Sequence, residues 1–185
     1  MDNFLRRIVD TKLLTGGNAS SEPTSLQNSL RAFREFVEDL PVMVYAVEAA
    51  PPYSPIYVSP AFSVFGYPLT DWIDDPEIWL RVIHPDDQPW VFSETVSSTR
   101  TGSEVEYEYR IIAADGSIHW VHDRGCLTRN EDGTITHRQG IIFDITDQKR
   151  AEANRHRAEA ELIESESRYR TLFENANDII YVHDL

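Results

Sequence analysis

VEYEYRIIAADGSIHWVHDRGCLTRNEDGTITHRQGIIFDIT, residues 105–146, decides the fold. Val105, Tyr107, Tyr109 and Ile111 alternate with Glu106, Glu108, Arg110 and Ile112, the period of two expected of a strand. Asp115-Gly116 is a hairpin turn signal, and residues 118–127 return as a second strand. Asp132-Gly133 turns the chain again, and residues 136–145 form the last strand. From Asp144-Ile145-Thr146 the sequence passes, with no glycine or proline, into a long charged helix. A sheet whose final strand feeds a stiff helix suits a unit that hands its state to something downstream.

Working upstream, residues 90–101 predict one longer helix. Residues 60–90 are aromatic-rich but broken by Gly66, Pro68, Pro76 and Pro85, which allow only short helices around Phe62, Phe65, Trp72, Ile78, Trp79, Val82 and Ile83. Residues 42–48 and 56–58 read as two further strands, joined by a proline-rich connection. Ahead of them Leu26, Leu30, Phe33, Val37 and Leu40 form one apolar stripe on a helix, with Ser25 placed to cap it and Pro41 ending it. Residues 1–25 read as an N-terminal segment and flexible linker. The expected class is α+β: an antiparallel sheet with short helices inserted after its second strand, with an N-terminal amphipathic helix (26–40), a domain over residues 41–146 and a connecting helix (147–168).

Downstream, the heptad seams of that helix hold Ala151, Ala158, Ser165 and Leu172, and Gln148, Arg155, Leu162 and Tyr169. They are thin and polar, so a coiled coil made by them would be weak by itself. Setting residues 29–48 over 165–184 aligns Arg34 with Arg170, Glu38 with Glu174 and Tyr45 with Tyr181. Residues 169–185 therefore read as the start of a second, truncated copy of the domain.

Composition narrows the function. The chain has 185 residues, 31 acidic against 17 basic, and a formal net charge of −14. Such a surface repels phosphate backbones and anionic lipid, which argues against nucleic-acid binding. Its single cysteine, Cys126, can form no internal disulfide. No run approaches the ~18 apolar residues of a membrane span, so the chain is expected to be cytoplasmic, with an anchor elsewhere in a longer parent left open.

The motifs in order are Tyr57-Val58-Ser59-Pro60-Ala61-Phe62, Phe65-Gly66-Tyr67, Trp79, Val82-Ile83-His84-Pro85-Asp86-Asp87, Glu108-Tyr109-Arg110, Asp115-Gly116-Ser117-Ile118-His119-Trp120-Val121 and Gly140-Ile141-Ile142-Phe143-Asp144-Ile145-Thr146. Together, over residues 36–152, they resemble the PAS sensor domain with its C-terminal PAC region. Pro60 departs from the pattern, standing where the family commonly has asparagine. The resemblance implies a five-stranded antiparallel sheet with short helices on one face, making residues 41–146 a sensor domain with a small cavity between sheet and helices. It also implies a homodimer formed through the flanking helices, and an output domain of the same chain. The parent would be a sensor histidine kinase or, alternatively, a cyclic-dinucleotide cyclase or phosphodiesterase. A protein-interaction scaffold with a filled core and no ligand is the rival reading.

Candidate residues divide into two groups. Asp144, Ile145 and Thr146 form the expected transmission joint, with Ile145 buried, Thr146 or Asp147 capping the helix, and Asp144 paired to Arg110 or Arg124. Phe62, Phe65, Trp79, Ile83, Tyr107 and Tyr109 either line a cavity or fill the core, the core being the simpler reading. No convergent polar set marks a ligand. His84 reads as part of a turn rather than a metal ligand, with Asp86 or Asp87 capping the next helix. His119 and His122 point to opposite faces and cannot share a metal. Cysteine-adduct flavin chemistry needs an Asn-Cys-Arg-Phe helix where this chain has Tyr67-Pro68-Leu69-Thr70-Asp71. No haem or zinc site is indicated, and no nucleophile–base pairing or phosphate loop suggests catalysis.

Overall fold

The computed structural model describes residues 22–180, with side chains from 26 to 174. The chain divides into two units, Met1–Leu40 and Pro41–Leu185. In the first, helix α1 (Glu22–Glu38) starts a turn earlier than its sequence suggests, so Ser25 lies inside the helix rather than at its cap. A proline at position 23 is compatible with a first turn, where its missing N–H has no helical partner to lose. The rest of the N-terminal segment lies outside the described residues. Leu26, Leu30 and Phe33 of the apolar stripe are exposed.

The second unit is built on one antiparallel sheet of strands β1 (Met43–Glu48), β2 (Pro55–Val58), β3 (Val105–Ile112), β4 (Ile118–Arg129) and β5 (Ile135–Asp144), ordered β2-β1-β5-β4-β3. The two Asp-Gly turns join β3 to β4 and β4 to β5, with Gly116 at φ 83° and Gly133 at φ 84°. Both are left-handed conformations that glycine adopts without strain. The first strand inserts beside the last, pairing Tyr45 with Gly140, and so brings the start and end of the domain together.

Between β2 and β3 the chain forms a 3-10 helix (Pro60–Phe65) and three helices, α2 (Leu69–Asp74), α3 (Ile78–Val82) and α4 (Gln88–Thr101). Pro60 sits in the first turn of the 3-10 helix. Ser59, before it, is fully buried; its hydroxyl accepts the Val44 N–H at 2.9 Å while its own N–H donates to the Val44 carbonyl at 2.9 Å. Phe62, Phe65, Trp72, Ile78, Val82 and Val91 pack with Met43, Tyr109, Ile111, Val121 and Ile142 of the sheet in a single core. Gly66 and Gly102, both left-handed, end the 3-10 helix and α4.

Helix α5 (Thr146–Ile180) follows β5 after one residue and runs for 35 residues, roughly 50 Å. It does not break where the second copy was placed. Residues 179 and 180, aligned with strand residues Met43 and Val44, are helical here. An isolated strand segment with no sheet to join has no partner for its backbone, whereas an unbroken helix supplies its own. Tyr181 and the remainder of that segment lie outside the described residues.

Candidate functional site: a polar cavity and the joint beside it

Along β4 the inward parity carries Val121, Asp123 and Gly125, so a carboxylate occupies a position where the pattern calls for an apolar residue. Asp123 is only 6% exposed. Across the sheet, β3 places Tyr107 directly opposite it, and β1 reaches it from two strands away. The ring of Tyr45 extends over Gly140 of β5 and Gly125 of β4, both of which lack the Cβ that would meet its hydroxyl. The Tyr45 hydroxyl donates to Asp123 Oδ1 at 3.1 Å, and that of Tyr109 donates to Oδ2 at 3.3 Å.

Burial raises the Asp123 carboxyl to about 7; the two phenol hydrogen bonds and the nearby Arg138 charge only partly offset it. Burial, then the adjacent carboxylate, pushes Tyr107 up to about 12 and Tyr45 and Tyr109 well above the ordinary tyrosine value. On β5, Arg138 is 4% exposed. Its Nη2 donates to the Thr95 carbonyl at 3.2 Å, Ser98 Oγ at 2.7 Å and Thr99 Oγ1 at 2.9 Å, all on α4. Thr95 Oγ1 is in turn 3.2 Å from the Tyr107 hydroxyl.

These groups line a cavity of about 100 Å³ between sheet and helices. Of the residues expected to line it, Phe62, Trp79, Tyr107 and Tyr109 do. Phe65 and Ile83 do not: both are essentially inaccessible within the core, Phe65 against Trp72 and His119, and Ile83 bridged to Ile111. The polar set Tyr45, Asp123, Thr95 and Arg138 escaped the sequence reading. Its available signal was the strand parity, which puts Asp123 and Arg138 on the same side as Val121 and Ile142.

Three residues along β4 from Asp123, Trp120 holds the start of α5. Its carbonyl accepts the Ile145 N–H at 2.8 Å and its N–H donates to Thr146 Oγ1 at 2.9 Å. Thr146 is 7% exposed while Ile145 is only half-buried, so the threonine hydroxyl, rather than an isoleucine anchor, fixes this point. Asp144 Oδ1 accepts from the Thr146 N–H at 2.9 Å and from its hydroxyl at 2.5 Å. Asp144 thus supplies the terminal acceptor that Thr146 or Asp147 was expected to provide.

Asp144 pairs with neither arginine. Its Oδ2 lies 2.7 Å from His119 Nδ1. Burial works to raise the Asp144 carboxyl, but the Thr146 and His119 hydrogen bonds outweigh it and hold the group below the usual carboxylate range. Register explains the choice: Asp144 stands opposite Val121, next to His119, whereas Arg124 stands opposite Ile141. Arg110 is held elsewhere. Its N–H and Nε both donate to Asp87 Oδ2 at 2.9 Å, and Nη2 donates to Asp87 Oδ1 at 2.8 Å. Asp87 therefore grips β3 instead of capping α4. Arg124 approaches Glu106 at 3.4 Å.

Over the Trp120 indole sit two cations, Arg110 of β3 at 5.7 Å and Lys149 of α5 at 5.4 Å from the ring centroid. Lys149 also bonds Glu108 Oε2 at 2.6 Å, so the first turn of α5 is tied to two strands. His84 Nδ1 accepts the Asp86 N–H at 3.3 Å, a turn contact. Among the described residues no cluster of three or more His, Cys, Asp or Glu could hold a metal ion. No described helix is long and apolar enough to cross a membrane.

Residues 55–142 match the family described as PAS fold. The methyl sulfide methyltransferase-associated sensor of Methanosarcina acetivorans is 37% identical over 112 residues, covering 60% of this chain and 11% of that protein. A sensory box histidine kinase/response regulator from Burkholderia thailandensis is 27% identical with a TM-score of 0.55, covering 71% of this chain and 98% of the solved one. The N-terminal domain of a diguanylate cyclase with PAS/PAC sensor from Marinobacter aquaeolei is 26% identical with a TM-score of 0.55, covering 58% and 98%. The chain spans between 11% and 22% of the length of the first curated relatives it matches.

Proposed function

We propose that this sheet and its helices, which match the PAS fold family over residues 55–142, are the sensory module of a longer signalling protein, itself non-catalytic, whose cavity state is passed to α5. The observation that carries this reading is the position of Trp120. It shares β4 with Asp123 of the cavity, bonds both Ile145 and Thr146, and lies under Lys149 of α5. A change in how Asp123 and its phenols are arranged would reach α5 through β4 and the two Trp120 hydrogen bonds.

A sensor histidine kinase is the parent we favour, supported by the kinase relative; a cyclase parent is the alternative, supported by the other solved neighbour. Exposed Leu162, Tyr169, Leu172 and Phe173 on α5, with the exposed stripe of α1, support self-association of the flanking helices. Residues 169–185 remain our candidate for the opening of a second sensor domain. A polar cavity favours a ligand-responsive sensor over a filled scaffold. Cys126 lies outside the cavity lining, its Sγ 3.9 Å from Gln139 Nε2, which supports a sensor without cysteine-adduct flavin chemistry.

The test is transmission. Two glycines inserted after Thr146 in the parent protein should uncouple regulation of its output, because glycine destabilises a helix interior by about 1 kcal/mol each. Unchanged regulation in that variant would overturn the proposal.

A further inference from the structure

The cavity wall has a chemical imbalance. Arg138 Nη1 has no hydrogen-bond partner, and neither has Trp72 Nε1, whose residue is 5% exposed; both residues line the cavity. Both unmet groups are donors. Among the described residues no carboxylate pairs with Arg138, whose Nη2 is held by three neutral acceptors of α4. Nη1 is left with its hydrogens and a full charge to share. Burying an unpaired charge is costly unless a counter-charge enters beside it. Asp123, the buried carboxylate of the same cavity, is committed to the Tyr45 and Tyr109 hydroxyls. What the wall lacks is therefore an acceptor, and an anionic one.

We propose that the cavity takes a small organic monocarboxylate, its oxygens accepting from Arg138 Nη1 and its short apolar body lying among Phe62, Val91 and Ile142. The proposal rests on reading this domain as a ligand-responsive sensor, and names the ligand class. Size limits the candidates. Pockets for drug-sized ligands run to about 300–1,000 Å³, and an apolar cavity of about 150 Å³ accepts benzene. A space of about 100 Å³ holds about four heavy atoms on that scale, the size of acetate, with propionate and butyrate testing its limit. The geometry also sets a pH dependence. The charged or titratable groups facing Asp123 are Tyr45 of β1, Tyr107 and Tyr109 of β3 and Arg138 of β5. Asp75, the other carboxylate of the lining, is paired with Arg81, so with Asp123 protonated Arg138 is the unpaired charge of the cavity; with Asp123 ionised its attraction is offset. Carboxylate binding should weaken as pH rises through about 7.

The experiment titrates the 185-residue chain with acetate, propionate and butyrate, and with propionamide, butanol and sodium chloride at matched ionic strength, followed by amide and side-chain NMR. The expected result is that a carboxylate binds about ten- to a hundredfold more tightly than its neutral counterpart. The Arg138 and Trp72 side-chain signals should move, and Arg138→Gln should remove the preference while retaining native amide dispersion. Should that variant fail to fold, the wild-type contrast between carboxylate and amide decides by itself. Asp123→Asn should abolish the pH dependence. Equal binding of propionate and propionamide, binding of chloride as tight as the carboxylates, or no response across the series would overturn the proposal. Amides 146–150, followed in the same titration, separate the two readings. Carboxylate binding without a response there leaves the ligand assignment standing and sinks transmission. A response there to Asp123→Asn, with no carboxylate binding, does the reverse.

Discussion

The ring of Tyr45 lies against the bare backbone of Gly140: a Cβ built on that glycine would stand 2.6 Å from the tyrosine oxygen and 2.7 Å from Cζ. It would also stand 2.6 Å from the Arg124 carbonyl oxygen, which is backbone and cannot swing away. Gly140→Ala should therefore destabilise the domain by about 1–3 kcal/mol, as overpacking in a filled interior does, and should break the Tyr45–Asp123 hydrogen bond. Urea denaturation gives the first quantity, and the Tyr45 ring signals the second. A variant as stable as the parent would mean the ring does not rest where it is described.

Asp123 makes stability depend on pH in an unusual direction. The unfolded carboxyl titrates near 3.9, and the folded one at about 7. Between those values the native state holds a proton that the unfolded chain has released, so stability falls as pH rises from about 4 to about 7 and levels off above. The total is roughly 4 kcal/mol at about 1.4 kcal/mol per pKa unit. Asp123→Asn should flatten that slope, measured as melting temperature against pH on both proteins. A parent protein with no such slope would place the carboxyl in contact with water.

At the joint, Thr146→Val keeps the shape of the side chain and removes its two hydrogen bonds, leaving the Trp120 N–H without its acceptor. Amides 146–150 should exchange faster by about five- to thirtyfold, corresponding to about 1–2 kcal/mol, while those of β3 change little. Equal acceleration throughout would indicate general destabilisation instead of a local latch.

Asp144 supplies a second check on the same latch. Its folded titration lies below the ordinary carboxylate range, so its contribution is present above the unfolded value and is lost as pH falls through the folded one. Protection of the first turn of α5 should accordingly decline on acidification below about pH 4. In Asp144→Asn that decline should be absent, because the amide oxygen can still accept from Thr146 but does not titrate.

The Asp87–Arg110 clamp ties the loop before α4 to β3. Asp87→Ala strands the Arg110 N–H and leaves its guanidinium only the 3.3 Å contact to Asp86 Oδ2, and should cost about 1–3 kcal/mol; Asp87→Asn, which keeps one acceptor, should cost less. A chemical denaturation series on the two variants orders them, and the reverse order would remove the clamp.

Most of the sheet could be read from the chain because its signals are local. Period-two alternation and two Asp-Gly turns define β3, β4 and β5 within one stretch, and structure and sequence agree there to a residue or two. The cavity's polar groups could not be read in the same way. Charged residues on strands usually face water, so Asp123 and Arg138 drew no notice until the register placed Tyr45 over Gly125 and Gly140. The Tyr45–Asp123 hydrogen bond that results joins residues 78 positions apart in sequence, and no local pattern encodes it. The partner of Asp144 was missed for a related reason. Opposite charge pointed to Arg110 and Arg124, but strand offset decides distance, and it favours His119. Helix α5 was foreseen as a rod but not its full extent, since the helix does not stop where the aligned repeat would turn to strand.

Because α5 leaves the sheet after a single residue, its bearing is fixed by hydrogen bonds on Trp120 rather than by a hinge. Each residue added to such a helix swings everything beyond it by about 100° and lifts it by about 1.5 Å. An insertion of seven residues, near two full turns, brings the far end back to almost its old azimuth, whereas three or four residues put it nearly one turn along the axis with a different facing. The spacing between this domain and whatever follows is thus set by angular phase, and chain length alone would be a poor guide to which spacers a partner domain tolerates.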